Sequence, residues 1–416
     1  MNLPATVFWL CAGLVAYTFA VYPLLLALLA RFRGRPVRRS ESFTTTVSFV
    51  VAAHNEQGRI EARLRELASL LDASGLEGEV ILVSDGSTDG TAEIARRFGP
   101  PVRVIEIDAN VGKAAALSRG CAEARGEILA FADVRQRWMP EALRRLVANF
   151  ADPAVGAVSG DLVIEAEPGI TAGVGLYWRY EKAIRRLESR VHSVAGVTGA
   201  ICAVRRTLFH PIPPGTILDD VYWPMRVVTR GFRVVHDESA LAYDHLPARA
   251  QDEFRRKVRT LCGNYQLVAR LPSLLLPWRN PICWQFVSHK LLRLVVPWAL
   301  PALLVTPALL TGPVYRLAFG AQWVFYLAAL AGSWRPIGRR FRLAATATSF
   351  VVLNAAAAMA LWVWIRGHAS RSWSKVTYET PSPPQPLVDD LDAFPDNRLP
   401  APGSESAASS SRVGRT

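Results

Sequence analysis

Long apolar stretches lie towards both ends of the chain, and most charged residues lie between them. Residues 5–30 are almost entirely apolar, and at 1.5 Å per residue they are long enough to cross a hydrocarbon core of about 30 Å. Apolar stretches of similar length occupy residues 291–310, 314–333 and 342–365. This pattern predicts one membrane anchor, then a water-exposed domain, and then about three or four membrane segments.

The residues that flank these stretches predict an orientation in the bilayer. Five arginines lie between residues 31 and 39, directly after the first apolar stretch. Because positive flanks favour the cytoplasmic side, we expect an integral protein of the cell (plasma) membrane whose central domain is cytoplasmic. The stretch 271–286 contains prolines and Arg279, and it predicts an interfacial helix. Three crossings after the domain would leave the tail outside, whereas a re-entrant segment would return it to the cytoplasm.

The central region alternates between strand-like and helix-like patterns. Short apolar runs predict four strands, at Val47–Ala53, 79–84, Val102–Ile107 and Ile128–Ala132. Helical spacing follows the first strand over residues 58–72, and another helix is expected from about Lys113. Repeated units of this kind predict an α/β fold with a mostly parallel, Rossmann-like sheet and flanking helices. In such sheets ligands bind beyond the carboxyl ends of the strands.

Four regions follow from these patterns. Residues 1–40 form a membrane anchor with its basic flank, 41–265 a cytoplasmic domain, and 266–380 interfacial and transmembrane helices. Residues 381–416 are rich in Pro, Ser, Ala and acidic residues and are expected to be disordered.

The composition narrows the possible partners. The net charge of +13 suits nucleic acid, anionic lipid or phosphorylated substrates. The sequence contains no nucleic-acid-binding signature, and many arginines flank the apolar stretches, so we expect contact with the lipid bilayer and not with nucleic acid. The five cysteines form no CxxC pair, which argues against a disulfide framework or a zinc site.

Polar residues follow the first two predicted strands. Asn55 and Glu56 come after the first strand, and Asp85 begins the sequence Asp-Gly-Ser-Thr-Asp after the second. A carboxylate there can accept hydrogen bonds from a base or a ribose, and Gly86 lets the backbone approach a ligand closely. A turn that caps the next helix is the alternative interpretation.

Charged residues also follow the third and fourth strands. Lys113, preceded by Gly112, lies where a helix begins, so it is placed either to contact a diphosphate or to be a solvated charge. Asp133 ends the fourth strand. A carboxylate there could hold a divalent cation that bridges diphosphate oxygens.

Taken together, residues 53–56, 84–89, 110–113 and Asp133 resemble the nucleotide-sugar half of family 2 inverting glycosyltransferases. Among these the chain most resembles the processive membrane synthases of cellulose, hyaluronan and poly-N-acetylglucosamine. The resemblance covers about residues 45–265 and the apolar segments beside them, and it implies a GT-A-type fold.

The resemblance also implies roles for single residues. The implied nucleotide-sugar site consists of Ala53, Asn55, Glu56, Asp85, Gly112, Lys113, Asp133, Arg256 and Arg259. In this site Glu56 and Asp85 would contact uridine, Lys113 the diphosphate, and Asp133 would bind Mg²⁺ or Mn²⁺. The family usually has Asp-x-Asp here, but Arg135 replaces the second acid. Either the metal has fewer protein ligands or the arginine itself contacts phosphate.

On the acceptor side, the Leu-Asp-Asp sequence at residues 218–220 resembles the Thr-Glu-Asp motif of the family, whose last acid is the catalytic base. By this resemblance Asp220 is the catalytic residue, and repulsion from Asp219 would raise its pKa. An N-cap pair is the alternative. Gly199 resembles a position under the acceptor sugar, so Gly199 and Asp219 are expected to bind the acceptor, and a plain turn is the alternative for residues 197–200.

A basic run matches another motif of the family, with changes. Arg256 and Arg259 occupy the first and fourth places of Gln-x-x-Arg-Trp, and Thr260 replaces the tryptophan. Without the resemblance, this run would be interpreted as charge at the membrane surface. Trp373 resembles part of a gating segment of related synthases.

The expected function is therefore membrane-bound transfer of a sugar, with inversion, from a nucleotide-sugar donor to a growing polysaccharide or a lipid-linked acceptor, and the expected donor is a UDP-sugar. Because Thr260 and Arg135 stand where the family has a tryptophan and a second acid, transfer of a single sugar to a lipid is one alternative. A non-catalytic, nucleotide-sensing membrane protein with the same fold is the other, and it would not need Asp220. A dinucleotide dehydrogenase is excluded because no GxGxxG follows the first strand.

Overall fold

The computed structural model describes residues 2–165, 172–245, 250–334, 337 and 341–367. The predicted tail at 381–416 and Trp373 lie outside these residues. The described helices of more than five residues are α1 (Leu3–Arg33), α2 (Gln57–Ser74), α3 (Thr91–Arg96), α4 (Lys113–Glu123), α5 (Ala142–Ala148), α6 (Ala172–Val191), α7 (Asp219–Thr229), α8 (Ala250–Arg270), α9 (Cys283–Leu309), α10 (Pro313–Gly332) and α11 (Arg342–Ile365).

Among the described residues, eight strands form one sheet. The strands are β1 (Val47–Ala53), β2 (Gly78–Asp85), β3 (Val102–Ile107), β4 (Ile128–Ala132), β5 (Arg137–Trp138), β6 (Val155–Glu165), β7 (Ile201–Arg205) and β8 (Arg233–His245), in the spatial order β3-β2-β1-β4-β7-β6-β8-β5. The first four run parallel to one another, β6 pairs parallel with β8, and β7 runs antiparallel to both of its neighbours. This confirms the predicted α/β class, including all four predicted strands.

Helices cover both faces of the parallel part of the sheet. Strand β1 is buried along nearly its whole length, as expected for a central parallel strand with an almost continuous hydrophobic sequence. On one face Phe49 and Val51 pack with apolar residues of α2, including Leu64. On the other face α4 lies so close that a Cβ on Gly120 would be 2.6 Å from Cγ1 of Val50. The carboxyl ends of β1, β2 and β4 therefore meet at one edge.

Of the described helices, four (α1, α9, α10 and α11) are by length and composition apolar enough to cross a membrane. Helix α9 begins at Cys283, earlier than the apolar stretch predicted at 291–310. The interfacial helix predicted over 271–286 is wrong, because this segment contains a short 3-10 turn at Pro272–Leu275, a loop and the first turn of α9. The Asn280 side chain stabilises the loop by donating to the Leu274 carbonyl at 2.8 Å and accepting from the Ile282 amide at 3.1 Å.

The membrane helices α1 and α9 are joined to α6 by buried polar contacts. Tyr22 of α1 donates to Glu188 Oε1 at 2.7 Å. On α9, His289 Nδ1 lies 2.8 Å from the same carboxylate oxygen, and its Nε2 lies 3.0 Å from Glu181 Oε2. Arg293, also on α9, pairs with Glu181. Carboxylates of α6 thus compensate the charges that interrupt the apolar sequence of α9. Because hydropathy counts those residues as polar, the sequence pattern placed the start of α9 too late.

Helix α11 packs against α8, which extends beyond the predicted domain boundary at residue 265. Val258 and Cys262 of α8 form an apolar cluster with Ala356 and Ala360 of α11. Small residues on α11 allow the two helices to approach closely. Through α6 and α8, the described membrane helices and the sheet form one compact unit.

Candidate active site

The loops that follow β1 and β2 are hydrogen-bonded to each other. Asn55 has a φ of 54°, a conformation that asparagine tolerates better than most residues. Its side-chain oxygen accepts from the backbone amide of Thr88 at 2.7 Å, and its backbone amide donates to Ser87 Oγ at 3.1 Å. The amide of Glu56 donates to Thr91 Oγ1 at 2.8 Å. Polar residues that were predicted from separate strands thus form one surface at the sheet edge.

Asp89 shows that the turn interpretation of Asp-Gly-Ser-Thr-Asp is correct for its last residue. Its carboxylate accepts from the Thr91 amide at 3.0 Å and from the Gln57 amide at 3.1 Å, so it serves the first turns of α3 and α2. Ala53 ends β1 as a buried residue opposite Ser84. The Glu56 carboxylate is partly exposed beside Arg59. The implied binding roles of Ala53 and Glu56 remain predictions.

Asp85 holds the loop that leads into α4. It is only 3% exposed, and its carboxylate accepts from the Val111 amide at 2.7 Å and the Gly112 amide at 2.9 Å. Gly86, with a φ of 61°, leaves no room for a Cβ because the backbone of Asn110 lies against it. The structure thus gives Asp85 a positioning role for the loop before Lys113, and its contact with uridine remains a prediction.

Lys113 and Asp133 are brought together from α4 and β4. The Lys113 ammonium donates to Asp133 Oδ1 at 2.6 Å. Burial disfavours the charged form of Lys113, but the negative charges of Asp133 and Asp219 outweigh this effect and raise its pKa above the ordinary value. Lys113 is therefore a fixed positive charge at the edge where β1, β2 and β4 end.

Asp219 and Asp220 begin α7, and their negative charges act on Lys113. The N-cap residue is Leu218, which makes no side-chain cap, so the two acids occupy the first helical turn. The backbone oxygen of Asp220 accepts from the Val197 amide at 2.8 Å and thereby anchors the loop that contains Gly199. A Cβ built on Gly199 would lie 3.8 Å from both Asp220 Oδ2 and Lys113 Nζ. The predicted acceptor glycine, base and diphosphate lysine therefore share one small space.

The surroundings of Asp220 suit a general base. Although partly open to solvent, its carboxyl is largely surrounded by protein. This burial and the neighbouring charge of Asp219 raise the pKa of Asp220 to about 7, while Lys113 partly opposes the shift. A carboxylate with a pKa near the working pH accepts a proton most effectively.

Arg135, at the place of the second acid of the family motif, is paired inside the protein. Its Nε and Nη2 donate to the two oxygens of Asp244 at 3.0 and 2.8 Å, a bidentate geometry. Gln136 donates to the same carboxylate at 2.9 Å. This pairing favours the first of the two alternatives, a metal with fewer protein ligands. No group of three or more His, Cys, Asp or Glu side chains that could hold a metal occurs in the part of the chain that the structure describes.

The two predicted arginines of α8 differ in their surroundings. Arg256 pairs with Glu253 through Nε at 2.9 Å and Nη2 at 3.0 Å. Burial lowers the pKa of Arg259, while the charges of Asp219 and Asp220 oppose this. The charges of Asp219 and Asp220 therefore act on Arg259, as expected for a diphosphate contact beside the base. Arg256, in contrast, is paired with Glu253 on its own helix.

Sequence analysis missed two cations near Asp220. Arg185 of α6 donates to Thr198 Oγ1 at 2.9 Å and to Ser159 Oγ at 2.8 Å, directly beside Gly199. The charge of Lys290 on α9 also acts on Asp220, where it opposes the rise in the pKa of that carboxyl. A charged residue in an apolar stretch is a functional signal, and Lys290 could have been noticed on that ground. Arg185, among many surface arginines, carries no such signal.

Comparisons with known proteins identify the central domain. Residues 48–212 match the model of the family described as Glycosyl transferase family 2. The region from β1 to the loop after β7 is therefore a glycosyl transferase family 2 domain, which confirms the family that the motifs indicated.

Two curated relatives and one solved structure are similar over different extents. The poly-beta-1,6-N-acetyl-D-glucosamine synthase of Staphylococcus aureus is 26% identical over 238 residues, 54% of this chain and 56% of that protein. The dolichyl-phosphate beta-glucosyltransferase ALG5C of Trichomonas vaginalis is 39% identical over 102 residues, 23% of this chain and 29% of that protein. The chain thus spans less than two thirds of the length of each.

The likeness to a solved structure covers more of the chain than either sequence match. The mannosyltransferase PcManGT from Pyrobaculum calidifontis, solved in complex with GDP-Man and Mn²⁺, superimposes with a TM-score of 0.64 at 23% identity. The match covers 86% of this chain and 99% of that one. Because it includes more than the sheet domain, it confirms the fold together with most of the attached helices.

Proposed function

We propose that this chain is a membrane-bound inverting glycosyltransferase, which transfers a sugar from a nucleotide-sugar donor, in the first instance a UDP-sugar, to a polysaccharide or lipid-linked acceptor. The observation that carries the proposal is the meeting of Lys113, Asp133 and Asp220 beside Gly199 in a family 2 domain. The names of the two curated relatives correspond to the two acceptor classes, a polysaccharide and a lipid phosphate.

The arrangement supports a single displacement. Asp220 removes the proton of an acceptor hydroxyl as its oxygen forms a bond to the anomeric carbon. The bond from that carbon to the donor diphosphate breaks on the opposite face, which inverts the anomeric configuration. The leaving nucleoside diphosphate gains negative charge, and Lys113 and Arg259 stabilise it there. The raised pKa of Asp220 supports catalysis over nucleotide sensing, because a sensor does not require a tuned base.

The donor set near Asp133 suits Mg²⁺ or Mn²⁺. Asp133 is about one-third exposed at 34%, and only its Oδ1 is engaged among the described residues, by Lys113. Mg²⁺ is commonly bound by one or two carboxylates together with substrate phosphates, so Asp133 alone is a sufficient protein ligand when a donor is present. A bound cation would supply positive charge to the diphosphate oxygens. Lys113, which contacts the same carboxylate, would orient it towards the diphosphate.

The proposed side of the membrane for the catalytic domain rests on the charged residues that follow α1. The arginines after this helix favour placing the catalytic domain on the cytoplasmic side. Nucleotide sugars would then bind from the cytoplasm, while the acceptor would approach along α6, α7 and α9.

Release of UDP tests the proposed function. The full chain is purified in detergent and incubated with Mg²⁺ or Mn²⁺, a panel of UDP-sugars, and membrane lipid and oligosaccharide acceptors. We expect turnover with one donor in the wild type and its loss in Asp220→Asn. The matched control is Asp72→Asn, since Asp72 is an exposed acid near the C-terminal end of α2 and has no proposed part in the site. Donor binding without consumption by the wild type would contradict catalysis and favour the sensing alternative.

A further inference from the structure

The segment 213–218 leads directly into the two acids that begin α7, and helix α8 holds it in place. Gln266 of α8 bridges this segment with both atoms of its side-chain amide. Its Oε1 accepts from the Ile217 amide at 2.9 Å, and its Nε2 donates to the Gly215 carbonyl at 2.8 Å. Backbone groups outside helices and strands need such partners, so one side chain fixes two points of the segment.

Arg270, one turn further along α8, adds contacts to the beginning of the same segment. Its guanidinium donates to the Pro214 carbonyl at 3.1 Å, to the Pro213 carbonyl at 3.4 Å and to Thr216 Oγ1. Proline has no backbone N–H, so these two residues offer only acceptors, and a guanidinium offers only donors. Two side chains of one helix therefore hold the segment through hydrogen bonds.

Gly263 allows α8 to lie against the end of this segment. A Cβ built on Gly263 would be 2.5 Å from Leu218 Cγ and 3.0 Å from Ile217 Cγ2, so a larger side chain would displace them. Leu218 is the N-cap residue of α7. The close approach at Gly263 therefore acts directly on the first turn of α7, which contains Asp220.

These three residues share one side of α8 with Arg259. Positions 259, 263, 266 and 270 are four, three and four residues apart, a spacing that places them in one stripe along a helix. One helix therefore carries both a proposed diphosphate contact and the groups that hold the segment before Asp220. Elsewhere on its surface, Val258 and Cys262 pack against the membrane helix α11.

We propose that Gln266 and Gly263 are positioning residues that hold the base Asp220 in register with the diphosphate contact Arg259. This inference rests on the proposed function and adds a requirement of its chemical step. A single displacement needs the attacking oxygen, the anomeric carbon and the leaving oxygen in line, so the base and the leaving-group contact must keep a fixed separation. A misplacement of about 1 Å can cost about 100-fold in rate. The base and Arg259 lie on different helices, and Gln266 and Gly263 are where the segment before α7 meets α8.

Three variants and a matched control test the inference in the full chain. Gln266→Met removes both hydrogen bonds at similar volume, Gln266→Glu keeps an acceptor for the Ile217 amide, and Gly263→Ala inserts a Cβ against Leu218. The control is Asn280→Leu, which removes a side-chain amide that bridges the loop before α9 in the same way, by donating to a carbonyl and accepting from an amide. Each protein is measured for kcat and donor KM by UDP release, for UDP affinity by titration calorimetry, and for its thermal midpoint in detergent.

We expect Gln266→Met to lower kcat about tenfold, because a base displaced by a fraction of an ångström accepts the proton less effectively. Its donor KM and UDP affinity should stay within about twofold of the wild type, since the donor contacts lie elsewhere. Gln266→Glu should retain more of kcat than Gln266→Met. Gly263→Ala should lower kcat by a similar factor, although alanine favours a helix over glycine. Asn280→Leu should lower the thermal midpoint and keep the kcat of the wild type.

Other results would overturn the inference while leaving the proposed function intact. Wild-type kcat in Gln266→Met would overturn it for the hydrogen bonds, and wild-type kcat in Gly263→Ala would overturn it for the helix contact. An equal loss of kcat in Asn280→Leu would assign the effect to loop stability in general, and a matching loss of UDP affinity would assign it to donor binding. Failure of the proposed function looks different, since the wild type itself would then consume no donor with any acceptor.

Discussion

The donor side and the acceptor side of the site are built in different ways. On the donor side, the loops after β1, β2 and β3 are joined by hydrogen bonds from backbone amides, such as that of Thr88 to the Asn55 side chain and that of Gly112 to the Asp85 carboxylate. On the acceptor side, charges from α6, α7 and α9 meet around Asp220, and they come from distant parts of the chain. The first side is held by backbone groups that few substitutions remove, whereas the second depends on a balance of side-chain charges.

This difference suggests that donor-side changes act mainly on binding and that acceptor-side changes act mainly on chemistry. The variants below test that division in order of decreasing effect. Each is compared with the wild type in the UDP-release assay unless another measurement is named.

The largest effect is expected for Asp220→Asn. An amide cannot accept the proton of the acceptor hydroxyl, so kcat should fall by about 10³-fold, within the range found for general bases. The KM for the donor should stay within about twofold, because Asp220 belongs to the acceptor side. A rise in donor KM with an unchanged kcat would place Asp220 on the donor side and contradict the division.

Lys113→Met should give the next largest effect and should act on the donor. Loss of the ammonium removes a charge from the diphosphate and leaves Asp133 without its 2.6 Å partner. We expect kcat/KM for the donor to fall about 100-fold, which corresponds to about 2.7 kcal/mol. Titration calorimetry with UDP gives a readout independent of catalysis. Wild-type UDP affinity in this variant would show that Lys113 does not contact the diphosphate.

Tyr22→Phe should weaken the attachment of α1 to α6. The Tyr22 hydroxyl donates to the fully buried Glu188 at 2.7 Å, and a hydrogen bond to a charged group contributes about 1.5–3 kcal/mol. We therefore expect a lower thermal midpoint in detergent, with donor KM unchanged. Tyr326→Phe on α10 is the matched control, because its hydroxyl makes no described hydrogen bond. Equal midpoints for the two variants would mean that this contact does not stabilise the helix attachment.

The smallest expected effect concerns pH. Asp220 acts in its ionised form, and burial together with Asp219 raises its pKa to about 7. The rate should therefore be half-maximal near pH 7 and fall as the pH decreases below that value. Asp219→Asn removes the neighbouring charge and lowers the pKa of Asp220, so the midpoint should move to lower pH. At pH 6 this variant should retain a larger fraction of its own maximal rate than the wild type. An unchanged profile would show that Asp219 does not tune the base.

Local patterns in the sequence predicted the parts of the protein that depend on neighbouring residues. Continuous apolar runs predicted β1 to β4, and polar residues directly after them predicted a ligand site at their carboxyl ends. Parallel strands bring those ends together whatever the rest of the chain does. For the same reason Lys113 and Asp133 could be assigned to one edge from their positions alone. The later strands β6, β7 and β8 were not predicted, because their pairings join segments far apart in sequence.

What the tertiary structure decided was the pairing of charges between distant segments. Arg135 could have faced a phosphate, but Asp244, on another strand, engages two of its nitrogens. The start of α9 was obscured by His289 and Arg293, whose compensation by α6 no hydropathy pattern reveals. The charge of Lys290, on a different helix from Asp220, acts on that carboxyl only in the folded chain. Periodicity along a chain reports which residues are buried, whereas electrostatic energy depends on distances in space, and these only the folded chain fixes.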